Sequence, residues 1–287
     1  MGSQVTVTLV GGSTTLAEEC MTVGHELETL WSRFREESEL SQLARGGRQR
    51  VDPRTVRLIE HMRTASVVTD GAFNPTLVRE IIRLGYARSL TGSALAVQPS
   101  RTETHQTIAD VTVEGDTVTL PEGMALDAGG IGKGFAADLV VEYARERGVD
   151  GVLANFGGDI AVWGDAPDGG AWRIGVDDPF ADDTHLDIIR MSTGAIATSS
   201  QRVRRFSTLT SEGSHLINPR TGSSVETEVQ TVTVIAGAGW FAEACTKPGF
   251  LWPTSEFLHW IPTVNAAALV VTADGSVQQS TNWGLYA

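Results

Sequence analysis

A chain of 287 residues, 41% hydrophobic and 20% charged, is long enough for one large domain or two intimate ones and too apolar to be disordered. Its net charge of −13, with no basic run larger than Arg202-Val203-Arg204-Arg205, argues against nucleic-acid and anionic-membrane partners. Cys20 and Cys245 lie far apart with no C-x-x-C spacing, so neither a disulfide framework nor a thiolate zinc site is expected, and both read as buried thiols. The first ten residues lack a basic segment followed by an apolar one, and no stretch reaches the ~18 apolar residues of a membrane span, so the chain reads as cytoplasmic.

Residues 5–10 alternate apolar and polar, which predicts a strand with one wet face, ended by Gly11-Gly12-Ser13. From 15 to about 35, Leu16, Cys20, Val23, Leu27, Leu30, Trp31 and Phe34 recur every three or four positions, the pattern of a long amphipathic helix. Residues 36–43 read as a polar turn and a short helix, and Asp52-Pro53 opens another through Val56, Ile59, Met62 and Val67. Turn residues at 70–76 precede a helix over 77–84 that Gly85 closes, and residues 89–125 read as short strands, notably 111–113 and 117–120 about Glu114-Gly115-Asp116. A helix over 133–147, stopped by Gly148, leads to strands at 151–156 and 160–163 around the bend Gly157-Gly158-Asp159. Further strands are expected at 172–176, 187–191, 194–198 and 229–236, with a helical patch near 240–245. No internal repeat or linker interrupts this order, so the chain reads as one α+β domain over residues 1–287, with mostly antiparallel sheets and packed helices.

Residues 126–135, Leu-Asp-Ala-Gly-Gly-Ile-Gly-Lys-Gly-Phe, pack four glycines, Asp127 and Lys133 directly ahead of a helix. Glycines let backbone N–H groups approach an anion, a helix N-terminus adds unsatisfied donors and a positive dipole end, and Lys133 adds a charge: together, a phosphate site. The alternative is a glycine-rich turn that joins a strand to a helix. Two common fingerprints fail, because a P-loop needs Ser or Thr where Gly134 stands, and G-x-G-x-x-G counted from Gly130 breaks at Phe135.

Five signals follow one another along the chain: Ser38-Glu39-Leu40-Ser41, Asp127-Ala-Gly-Gly-Ile-Gly-Lys-Gly-Phe-Ala-Ala-Asp138, Asn155-Phe-Gly-Gly-Asp159, Ala197-Thr-Ser199 and Ser214-His-Leu-Ile-Asn-Pro-Arg-Thr-Gly222. In this order they resemble the ApbE family, the FAD:protein FMN transferases, over about residues 27–251. The resemblance implies a two-lobed α+β fold with FAD between the lobes. It also implies a Mg²⁺-dependent reaction in which the FAD pyrophosphate is cleaved, FMN passes to a threonine or serine hydroxyl of an acceptor protein, and AMP is released.

On that resemblance His215 touches the cofactor and is the base that deprotonates the incoming hydroxyl, or at least positions it against the phosphate. Asp127 and Lys133 face the cofactor, and a backbone oxygen at Gly130 faces the metal. Phe34, the segment Leu84-Gly85-Tyr86, the hydroxyls of Thr198 and Ser199, and Ile217 line the FAD, while Asp138 and Asp159 fix loop geometry. Each has an ordinary structural alternative: His215 as a turn cap, Phe34 as helix-end core, Thr198-Ser199 as a strand end. The other histidines, 25, 61, 105, 185 and 259, show no ligand spacing.

The chain departs from the family pattern where an Asp-Ala-x-x-Thr segment completes the metal site. Here it reads Ala242-Glu243-Ala244-Cys245-Thr246-Lys247, so Glu243 and Thr246 are the implied metal ligands and Lys247 takes the usual threonine position. An ammonium there either repels a cation or replaces it. Ala44 and Asn218 also stand where Asn and Asp are usual. Two alternatives stay open beside the transferase: a flavin-binding protein that has lost transfer, and an FAD pyrophosphatase that uses water.

Overall fold

The computed structural model describes residues 4–84, 106–201, 205–207, 212–214 and 217–287, for 205–207 and 212–214 the backbone alone. The first half runs β1 (Val5–Val10), α1 (Thr14–Trp31), α2 (Glu39–Ala44), β2 (Arg48–Arg50), α3 (Pro53–Val68), α4 (Val78–Arg83), β3 (Thr112–Glu114), β4 (Thr117–Thr119) and α5 (Gly132–Arg145). It continues with β5 (Gly151–Phe156), β6 (Asp159–Gly164), β7 (Trp172–Asp177), β8 (His185–Met191), β9 (Thr193–Ser200), β10 (Arg205–Ser207), β11 (Glu212–Ser214), β12 (Ile217–Asn218) and β13 (Ser223–Ser224). Last come β14 (Val229–Ala236), α6 (Gly239–Cys245), α7 (Pro248–Leu251), α8 (Thr254–Trp260), β15 (Ala267–Thr272) and β16 (Val277–Gln279). The fold is α+β with antiparallel sheets, and it divides into two compact units: His25–Gly132 with Arg204–Val225, and Ser3–Gly24 with Lys133–Val203 and Glu226–Ala287.

The second unit is built on a seven-stranded antiparallel sheet in the order β1-β5-β6-β9-β14-β15-β16. Its middle strand is β9, and in the neighbouring β14 every residue is buried because both faces are covered. On one face Ile196, Ile235 and Leu269 pack with Trp172, Ile174, Ile189 and Met191 of the β7–β8 ribbon and with Trp283, whose indole N–H donates to Asp187 at 2.8 Å. α6 packs against β9 and β14, and α7 brings Gly249 against Val232. Phe156 is buried, and a Cβ at Gly24 would sit 3.1 Å from its ring.

The first unit carries the end of α1, helices α2 to α4 and the three-stranded sheet β2-β4-β3. Trp31 donates its indole N–H to Thr55 at 3.0 Å, over a core that includes Leu40, Leu43, Leu58, Ile59 and Met62. Asp52 caps α3 by accepting the Arg54 amide at 2.8 Å, with Pro53 at the first helical position. Ser38 likewise caps α2, accepting from the Ser41 amide at 3.2 Å, so one of the motif serines has a local structural task.

Several expectations shift. α1 stops at Trp31, four residues early, because Ser32 begins a turn closed by the Arg35 amide. Val67 is 81% exposed and lies off the buried face of α3. Asp159 belongs to β6, paired with Phe156, and the bend is made by Gly157 and Gly158, both with positive φ. Pro248 does not simply end the late helix but opens α7, with Thr246 and Lys247 still in αR backbone. The strands β2 and β10 to β13, α7 and everything after it have no counterpart in the sequence pattern. Both cysteines are buried free thiols, and burial pushes Cys245 far above the usual thiol range against a small opposing effect of Lys247. Among the described residues no helix is long and apolar enough to cross a membrane.

Candidate functional site

In the second unit, α5 and α6 meet through glycine. A Cβ on Gly134 would overlap the Gly239 carbonyl, and one on Gly239 would press on the Gly134 carbonyl. This is why Gly134 stands where a P-loop would need a hydroxyl. None of the four glycines at 129–134 takes a positive φ, so it is close approach, at least at 134, that requires one. Asp138, one turn further along α5, accepts from the amides of Gly239 (2.7 Å) and Trp240 (3.0 Å) and caps α6, whose own N-cap residue Ala238 has no side chain to do so.

Glu243 of α6 reaches back to α5. One carboxylate oxygen accepts the Gly134 amide at 2.9 Å and the other lies 3.3 Å from the Lys133 ammonium. The Lys133 ammonium also contacts the carboxylate of Asp159, which like Glu243 is almost completely buried. The start of α5 therefore already holds an anion, supplied by the protein. Lys133 is the charge that lets two carboxylates be buried together.

Around the end of α6 a second group forms. Lys247 places its ammonium 2.9 Å from the Thr246 hydroxyl, 3.0 Å from the Ser199 hydroxyl and 3.1 Å from the Glu243 carbonyl oxygen. Thr246 is buried, its hydroxyl 2.7 Å from that of Ser199 and donating to the Glu243 carbonyl at 2.7 Å. Thr198, read from sequence as the partner of Ser199, points to the other face of β9. Its hydroxyl lies 2.9 Å from that of Thr233, as strand alternation requires of consecutive residues.

In the first unit, Asp127 turns onto its own loop, accepting the Gly129 amide at 2.9 Å, while its other oxygen meets the Arg33 guanidinium. The Asp127 amide donates to Pro75 at 2.8 Å. Arg33 also stacks over Phe34, 5.0 Å from the ring centre. The sequence reading missed Arg33, and nothing near it in the chain announces a partner at 127. Leu84 follows the last turn of α4, from which Arg83 donates to the Gly222 carbonyl at 3.0 Å, in the turn that joins β12, carrying Ile217, to β13. Gly130 sits in the same loop as Asp127 and is half-buried. Gly85, Tyr86 and His215 lie outside the described residues.

Among the predicted site residues the structure thus brings together Lys133, Ser199, Glu243, Thr246 and Lys247 in one unit, and Phe34 and Asp127 in the other. The donor set at 243–247 does not fit the implied Mg²⁺. Its carboxylate is engaged by an amide and an ammonium, and its carbonyl and hydroxyls surround a second ammonium at N–H···O lengths, against the ~2.1 Å that Mg²⁺ demands of oxygen.

The ApbE family model matches residues 1–270. An FAD:protein FMN transferase of Klebsiella pneumoniae is 30% identical over 244 residues, covering 82% of this chain and 75% of the relative. Another, of Vibrio cholerae, is 27% identical over 241 residues, covering 79% and 70%. Among solved structures, an ApbE protein of Thermotoga maritima superposes with a TM-score of 0.85 at 26% identity, over 98% of this chain and 94% of that one. The flavinyl transferase ApbE of Pseudomonas stutzeri shares the fold, with a TM-score of 0.83 at 22% identity over 99% and 93%. By the extent of these matches, the chain belongs to the ApbE family.

Proposed function

We propose that the protein is an FAD:protein FMN transferase, which cleaves the pyrophosphate of FAD and attaches FMN through a phosphoester to a threonine or serine of an acceptor protein. What supports this most is the family match over residues 1–270, with a relative of that activity 30% identical across 82% of the chain. In the reaction the acceptor hydroxyl oxygen bonds to the FMN phosphorus, the bond from that phosphorus to the bridging oxygen breaks, and AMP leaves with that oxygen. The hydroxyl proton goes to a base, which we assign to His215 from its place after β11 in the Ser214-to-Gly222 motif.

Phe34, Leu84, Gly85, Tyr86, Asp127, Thr198, Ser199 and Ile217 are assigned to FAD on the same motif ground. Lys133 is given the task of fixing the start of α5, because Asp159 and Glu243 hold its ammonium. Residues 243–247 carry a cation of their own, the Lys247 ammonium. Both units are read as parts of one transferase domain.

The test is incubation with FAD and a threonine-bearing acceptor peptide, following AMP and the peptide mass. AMP release with a mass gain of one FMN supports transfer, AMP and free FMN without labelling indicate hydrolysis, and intact bound FAD rules out both. His215→Ala should lower turnover by a factor on the order of 10² or more while FAD binding persists.

A further inference from the structure

We infer that the Lys247 ammonium is a cation built into the place where the family resemblance puts a divalent ion, and that this protein therefore handles FAD without a metal. The first part stands on the geometry alone; the second rests on the transferase reading above.

Three hard oxygens converge there: the Ser199 hydroxyl from β9, the Thr246 hydroxyl, and the Glu243 carbonyl in the last turn of α6, which also accepts the Thr246 hydroxyl. An ammonium has three donors, and these three acceptors lie 2.9 to 3.1 Å from it. The local sequence builds the arrangement. Thr246 and Lys247 continue in αR backbone before Pro248, so Lys247 folds back by one turn onto the Glu243 carbonyl, at the negative end of the helix dipole. The Glu243 carboxylate is spent elsewhere, on the Gly134 amide and on Lys133. A divalent ion would have to displace Lys247 from its oxygens and free Glu243 from α5.

The experiment compares the wild-type protein with Lys247→Thr in two assays. In the first, Mn²⁺ alone is titrated into each protein and free Mn²⁺ is followed by electron paramagnetic resonance. The wild type should bind no stoichiometric ion, and the variant, with three oxygens released, should gain one. In the second, AMP release from FAD with the acceptor peptide is measured with EDTA and with Mg²⁺. Wild-type release should differ by less than about twofold, whereas the variant should lose at least about tenfold in EDTA.

Stoichiometric Mn²⁺ on the wild type, or wild-type turnover that collapses in EDTA, overturns the inference. If neither protein turns FAD over under any condition, the transferase reading fails, while the Mn²⁺ titration still decides the role of Lys247. The wild-type arms need no variant and hold if Lys247→Thr does not fold.

Discussion

Lys133 is the residue whose place in the structure departs most from its place in the motif. In sequence it looks like a phosphate ligand, but in the fold it neutralises Asp159 and Glu243, both nearly inaccessible to water. Removing one partner from such a group leaves a buried charge uncompensated, so Lys133→Ala should cost about 3–5 kcal/mol, read as a lower midpoint in urea. Adding Asp159→Asn to it should recover part of the loss, because one of the stranded charges is then gone. A variant whose only defect is in FAD affinity, with an unchanged midpoint, would return Lys133 to the phosphate role. The motif is legible in the sequence, but the carboxylate partners of Lys133 are not. Lys133 and Glu243 are 110 positions apart, and only the approach of α5 to α6 shows that they are partners.

Elements were easier to read where one period dominates. The alternation in Val5–Val10 and the β-branched stretch Val229–Ala236 mark β1 and β14 to the residue. β9 reads as a strand, and the same alternation sends Thr198 to Thr233 on one face and Ser199 to Thr246 on the other. The end of α1 was misjudged because Phe34 keeps the helical spacing, while Arg33 leaves the helix for Asp127. At this scale the junction of α5 and α6 is the sensitive point. Gly134→Ala should destabilise by about 1–3 kcal/mol through overlap with the Gly239 backbone. Asp138→Ala should cost about 1–2 kcal/mol by uncapping α6. Both are measurable as shifts in thermal midpoint, and an unchanged midpoint for either would mean that the helices can separate without loss.

For the molecule as a whole, fold class follows from the order of elements, and the family, with its two lobes, from five short motifs, whereas the borders of the two compact units do not. No linker composition marks them: the chain passes from one unit to the other inside α1, at the start of α5 and again after Val203 and Val225. Stability of the whole should depend on pH through His61, whose pKa burial, helped by Arg57, pushes down to about 4. Between that value and the 6.5 of an unperturbed imidazole, the unfolded chain binds a proton that the folded one does not. The contribution is therefore complete above 6.5 and is lost as pH falls toward 4. Allowing for the partial exposure of His61, the loss should be of order 1 kcal/mol. Chemical melts at pH 7 and pH 4.5 should show it, and His61→Leu should remove that part of the slope. An identical slope in the variant would assign the acid sensitivity to the carboxylates instead.

The contact of Gly134 with Gly239 sets a tolerance. Interfaces made of side chains absorb a changed neighbour by a rotamer hop or a small repacking, so the spacing they impose drifts as sequences drift. Here backbone rests on backbone, and no rotamer is available to take up slack. The gap between α5 and α6 behaves as a fixed gauge: the positions of the Lys133 and Glu243 charges are indexed to it, and the surrounding core can vary without moving them.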